Sequence, residues 1–136
     1  MAGYLFDAGA YGLLHADITW TSDTIKARLS HTSETPSQTA TSMTGIGIAA
    51  TDVSLGSKTG PTKDTVNHRV TYTAGNPTFT AVGATTEVNK IVVYKFVTND
   101  AGSTPIAVVT FTPAITPNGG DITVTVDAAG LFYTQE

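Results

Sequence analysis

His15, His31 and His68 are the only histidines of the chain, and its carboxylates are Asp7, Asp17, Asp23, Glu34, Asp52, Asp64, Glu87, Asp100, Asp121, Asp127 and Glu136. A zinc or iron site needs several such ligands at spacings that bring them to one face. None of the histidines has that spacing to a second ligand, so each reads as a surface or turn residue. No D-x-[DN]-x-[DN]-G run supports calcium. Ser, His and Asp are all present, but there is no Gly-x-Ser-x-Gly elbow to expose a nucleophile. A glycosidase pair would need two carboxylates fixed across a sugar cleft, and nothing in the spacing selects two. Gly45-Ile46-Gly47 lacks the third glycine of a dinucleotide fingerprint. Cysteine is absent, which excludes thiolate chemistry and disulfides. The expectation is a protein that is not an enzyme, with no cofactor and no metal.

At 136 residues and 14.1 kDa the chain fits a single domain, 1–136. Threonine makes up 26 residues, whereas charged residues make up only 13%, about half the usual share. A charged helical bundle is therefore unlike this composition. The net charge of −4 argues against nucleic acid as a partner. No Lys or Arg precedes Lys26, and no apolar run approaches the ~20 residues that span a bilayer. Neither a general secretory route nor a membrane partner is expected.

Residues 1–18 are mostly apolar and read as an N-terminal arm or short helix, with 19–136 forming a β-sandwich. Leu5, Gly9 and Gly12 with Leu13 have helix-compatible spacing, although each glycine costs a helix interior about 1 kcal/mol. The arm can pack on its own domain or on a neighbouring subunit. From Thr24 to Ser30 the period is two, with Ile25, Ala27 and Leu29 on one face and Thr24, Lys26 and Arg28 on the other. Ile91–Val97 is a nearly continuous β-branched and aromatic run, suited to a central strand buried on both faces. Further strands are expected over 67–73, 106–112, 122–126 and 131–134. Asn99–Gly102, Asn118–Asp121 and Asp127–Gly130 carry turn residues, and Pro105 and Pro113 are expected to bracket a strand rather than sit inside it. The result is an all-β fold, an antiparallel β-sandwich or jelly roll. Thr35–Thr51, Val70–Thr86 and Ala101–Gly120 carry no charge. The first reads as a long surface loop or weak edge strand. All three are candidates for buried contact between subunits or with a capsid. Trp20 reads as core, with exposed sugar stacking as the alternative.

Three blocks in order resemble a family of small tailed-phage virion proteins. They are Asp17–Leu29 with its D-T-I-K-A-R-L run, Ile91–Lys95 leading to Thr104–Phe111, and Gly119-Gly120-Asp121-Ile122-Thr123-Val124-Thr125-Val126-Asp127-Ala128-Ala129-Gly130. Val126 stands where an aromatic is common, and the strand ending at Phe111 lacks the usual Asp before it. The resemblance implies a capsid decoration (cement, head-stabilising) protein: a non-enzymatic β-sandwich bound between capsomers. Its partner would be the major capsid protein, its form a homo-oligomer with a trimer favoured, and its place the virion capsid surface after synthesis in the host cytoplasm. Tyr4, Leu5, Phe6, Tyr11, Leu13 and Leu14 are the candidate subunit or capsid interface. Two other readings remain: a tail, tail-fibre or baseplate β-domain, and a carbohydrate-binding adhesin module.

Overall fold

The computed structural model describes residues 2–135; Met1 and Glu136, the outermost residues of the expected domain, lie outside the described residues. The chain is mostly β, with antiparallel sheets packed together and one helix. The strands are β1 (Ala2–Leu5), β2 (Ile25–His31), β3 (Val53–Ser54), β4 (Thr59–Asp64), β5 (Arg69–Thr73), β6 (Thr78–Phe79), β7 (Val88–Val97), β8 (Asn99–Ile115), β9 (Ile122–Thr123) and β10 (Phe132–Gln135); the helix is α1 (Asp7–Leu14). One sheet has the order β1-β8-β7-β2-β3, a second β10-β5-β4, and a two-stranded ribbon pairs β6 with β9.

The period-two pattern sorts side chains as expected on one face. Ile25, Ala27 and Leu29 of β2 join Ile91 and Val93 of β7 and Ala107 and Val109 of β8 in the main core. Tyr72 and Phe132 from the second sheet, and Phe79 and Ile122 from the ribbon, close that core from the other side. Trp20 is buried there, edge-on to Phe132 at 5.1 Å and to Tyr72 at 5.8 Å, and its indole N–H donates to the Thr73 carbonyl at 3.0 Å. The core reading of Trp20 is the one the structure takes.

The other face of the large sheet departs from a half-buried strand. Val92, Tyr94 and Val108 form a second core with Phe6 and Met43. The charge-free stretch 35–51 has no helix or strand, and part of it lies across this face as a cover. Ala40 and Ile46 pack against the second core, and the Met43 N–H donates to the Asp100 carbonyl at 3.1 Å. Arg28, Ser30 and Lys90 are consequently buried. Lys90 keeps its charge satisfied by donating to the carbonyls of His31, Thr32 and Glu34 at 3.1, 3.1 and 2.6 Å, although burial lowers its pKa.

Two other expectations are corrected. Pro105 and Pro113 lie within β8 rather than outside it. At Pro105 the ladder with β7 shifts register, and pairing with β1 has already ended at Ala107, so the missing N–H removes no ladder bond on that side. The turn expected at Asn99–Gly102 falls one residue earlier, at Thr98, where φ is 60°. Asn99–Gly102 instead begins β8, with the Ser103 hydroxyl donating to the Asn99 carbonyl at 2.7 Å and accepting the Val97 N–H at 3.0 Å.

The N-terminal segment packs on its own chain. β1 pairs antiparallel with β8 in the register Ala2↔Thr110 to Leu5↔Ala107, and α1 then crosses β8 at Pro105–Ile106. A Cβ on Gly9 would sit 2.4 Å from the Ile106 Cα and 2.8 Å from the Pro105 carbonyl oxygen; on Gly12 it would meet only the Ile18 side chain, at 2.7 Å. Gly9 is there because backbone meets backbone. Gly9→Ala is therefore expected to destabilise the fold by about 1–3 kcal/mol, even though alanine is the better helix former by about 1 kcal/mol. Gly12→Ala should cost less, because the Ile18 side chain can turn aside. Urea midpoints of the two variants check that order; the reverse order would contradict this docking.

Candidate functional site

Of the six proposed interface residues, four are spent inside the chain. Phe6 is buried in the second core, with Tyr4 edge-on to it at a ring separation of 5.9 Å. The Tyr4 hydroxyl donates to the Pro36 carbonyl, tying β1 to the cover loop. Leu5 and Leu13 are half-buried against the main core. Only two residues turn outward, and they do so strongly. Tyr11 is 61% exposed and Leu14, the last residue of α1, is 87% exposed.

Leu14 borders an open groove against the β4–β5 hairpin, whose walls include Lys63, His68, Arg69 and Val70. Val66, at the tip of that hairpin, is 84% exposed. The hairpin turn is organised by Asp64. Its carboxylate accepts the Asn67 side-chain amide at 2.8 Å, the Asn67 N–H at 3.1 Å and the Arg69 Nε–H at 2.9 Å. Arg69 also stacks over the Tyr133 ring at 4.3 Å.

Beside α1 lies a second cleft, bounded by Tyr11, Asp7, Asp17 and the 39–41 loop. The Tyr11 ring stacks on His15 at 5.1 Å and 16°, and His15 Nδ1 lies 3.2 Å from the Asp17 carboxylate. His15 thus has an acidic neighbour that the spacing argument passed over. His31 instead contacts the Thr86 hydroxyl at 3.0 Å. Among the described residues no group of three or more His, Cys, Asp or Glu is placed to hold a metal, and no helix is long and apolar enough to cross a membrane.

The strongest electrostatic feature is one that sequence reading missed. Arg28, on the outer face of β2, donates through Nε and Nη2 to Asp52 at 2.9–3.2 Å, through Nη2 to Asp100 at 2.8 Å and through Nη1 to the Ile46 carbonyl at 2.9 Å. Its side chain is 5% exposed and that of Asp52 12%, whereas Asp100 is half open to solvent. Desolvation works against the guanidinium charge, yet the bonds to Asp52 and Asp100 outweigh it and the pKa rises. The Tyr94 hydroxyl donates to the same Asp52 carboxylate; burial first, and that bond second, push its pKa up. All five guanidinium-side bonds end within the chain, so the network reads as a tie rather than a reaction centre. The available signal was slight: one arginine in a strand, and Asp52 as the first charge after a long neutral stretch.

Protein-family models, curated proteins and solved structures give no match to this chain. The chemistry of the surface therefore has to be read from the chain itself.

Two predictions follow from these charges. Asp52→Ala leaves a buried guanidinium short of its main partner and should cost about 3–5 kcal/mol. The Arg28→Met, Asp52→Leu double variant should recover much of that loss in the same denaturant titration. The Asn67 and Arg69 bonds hold the Asp64 carboxyl at about 2, below its free value of about 3.9. A lowered folded-state pKa stabilises above the free value, so this contribution is complete above about pH 4 and is lost as pH falls through about 2. A carboxyl NMR titration placing the Asp64 midpoint near 3.9 would contradict the geometry of the turn.

Proposed function

We propose that this chain is a non-enzymatic structural protein of a tailed-phage virion, decorating the capsid surface and stabilising it by binding between capsomers. Its partner is the major capsid protein, and it acts as a homo-oligomer, with a trimer favoured. The reading is supported by the three sequence blocks, which supply β2, the β7–β8 hairpin and the β9–β10 region of the sandwich.

The observation that carries it is Leu14. A leucine left 87% exposed at the end of a docked helix forgoes roughly 1.5–3 kcal/mol of burial. Val66 extends the same apolar character onto the neighbouring hairpin. Such a contact is small for one copy. Repeated over many copies on a lattice, modest contacts add through effective concentration rather than through area.

The test must not use removal of residues 1–14, because that deletes β1 and α1 and with them Phe6 from the second core. Leu14→Glu with Val66→Glu changes only exposed side chains. The double variant should keep the parent melting temperature while its occupancy on heads, read by electron microscopy, falls about tenfold or more. Undiminished occupancy would refute the Leu14 contact. Density at the tail of the particle rather than on the head would refute the capsid reading.

A further inference from the structure

We infer that the cleft beside α1 is a saccharide-binding site with Tyr11 as its stacking platform. This goes beyond the capsid reading and does not depend on it.

Aromatic recognition of a sugar needs a ring face held still and open to water. Trp20, the aromatic that the sequence offered for this role, is buried and engaged with Thr73, Tyr72 and Phe132. Tyr11 meets the requirement instead. Asp7, Tyr11 and His15 stand four residues apart along α1 and its C-cap, so they form one stripe on the helix surface. His15 stacks on the Tyr11 ring at 5.1 Å, and its Nδ1 lies 3.2 Å from the exposed Asp17 carboxylate. With 61% of the residue exposed, the ring rests on one neighbour and is open to water elsewhere, so part of the cost of ordering it is met before a ligand arrives.

The surroundings match hydroxyl chemistry. The cleft measures about 560 Å³, within the range of roughly 300–1,000 Å³ typical of small-ligand sites. Gly12 contributes to its lining, and Asp7, Asp17, Thr39 and Thr41 surround it. Carboxylates accept from pairs of hydroxyls, threonine hydroxyls both donate and accept, and an aromatic face takes the C–H side of a pyranose ring. An anionic ligand is disfavoured. The one lysine of the cleft, Lys95, already donates to the Asp17 carbonyl at 2.7 Å and pairs with Asp23 at 3.2 Å, so it does not offset the acidic Asp7 and Asp17 of the lining. The chemistry selects a neutral pyranose within an oligosaccharide.

The test uses the purified full chain, titrated with maltohexaose, cellohexaose, chitotetraose and galactotetraose under two-dimensional amide NMR. At least one should shift the amides of Gly12, Thr39 and Thr41 with a Kd on the order of 1 mM or tighter. Tyr11→Ala should weaken that binding about tenfold or more, Asp7→Asn should weaken it less, and Tyr11→Phe should keep it. Leu14→Glu should leave it unchanged, which separates this site from the capsid contact. The inference fails if none of the four shifts these amides, if the shifts fall elsewhere, or if Tyr11→Ala binds as the parent does.

Discussion

A guanidinium leaves water only if carboxylates go with it, and Arg28 sits in a closed layer of this protein with Asp52 and Asp100 drawn onto it. Asp52 lies just beyond the long neutral stretch, and Asp100 lies in the first residues of β8. The bonds to Asp52 and the Ile46 carbonyl therefore hold the trailing part of the cover to β2, while the Asp100 bond ties β2 to the start of β8. Beneath the cover Met43, Phe6 and Val92 are buried in apolar contact, which has no direction of its own. The ionic bonds do have direction, and they fix where the cover rests. Lys90 repeats the arrangement farther along, gathering three carbonyls just before the same stretch.

The N-terminal segment obeys a different constraint. Its strand is an edge whose outer groups would invite further pairing, and its helix follows at once, pressed backbone to backbone against β8. A helix of eight residues is too short to persist unaided. Docking at Gly9 gives it persistence, and the geometry of docking decides which side chains are left over. Leu13 turns inward; Tyr11 and Leu14 turn outward, beside two different depressions of the surface.

Strand order apart, much of this fold was legible. Ile25, Ala27 and Leu29 alternate because one face of β2 meets the main core, and Ile91–Val97 is unbroken because β7 has a core on each face. The alternation Ile122-Thr123-Val124 survives as buried, exposed, buried even where only two residues pair. What was not legible depends on non-local partners. A lysine or arginine on the polar phase of a strand looks solvated until a segment without any strand pattern lies over it. Prolines read as strand ends were placed inside β8 because the pairing on one side had already stopped there. At the surface, composition marked the first helix as apolar but could not divide its residues between core and solvent, since a docking backbone contact at a glycine leaves no periodic trace.

The pairing of β1 with β8 also bears on how the chain comes into being. Ala2 meets Thr110, so β1 has to wait until its neighbour, more than a hundred residues later, has left the exit tunnel. Until then Tyr4, Leu5 and Phe6 travel as an unpaired, apolar segment. Topologies dominated by such distant pairings fold slowly and expose sticky strands on the way. For this protein the vulnerable period lasts until β8 has emerged and β1 can close onto it.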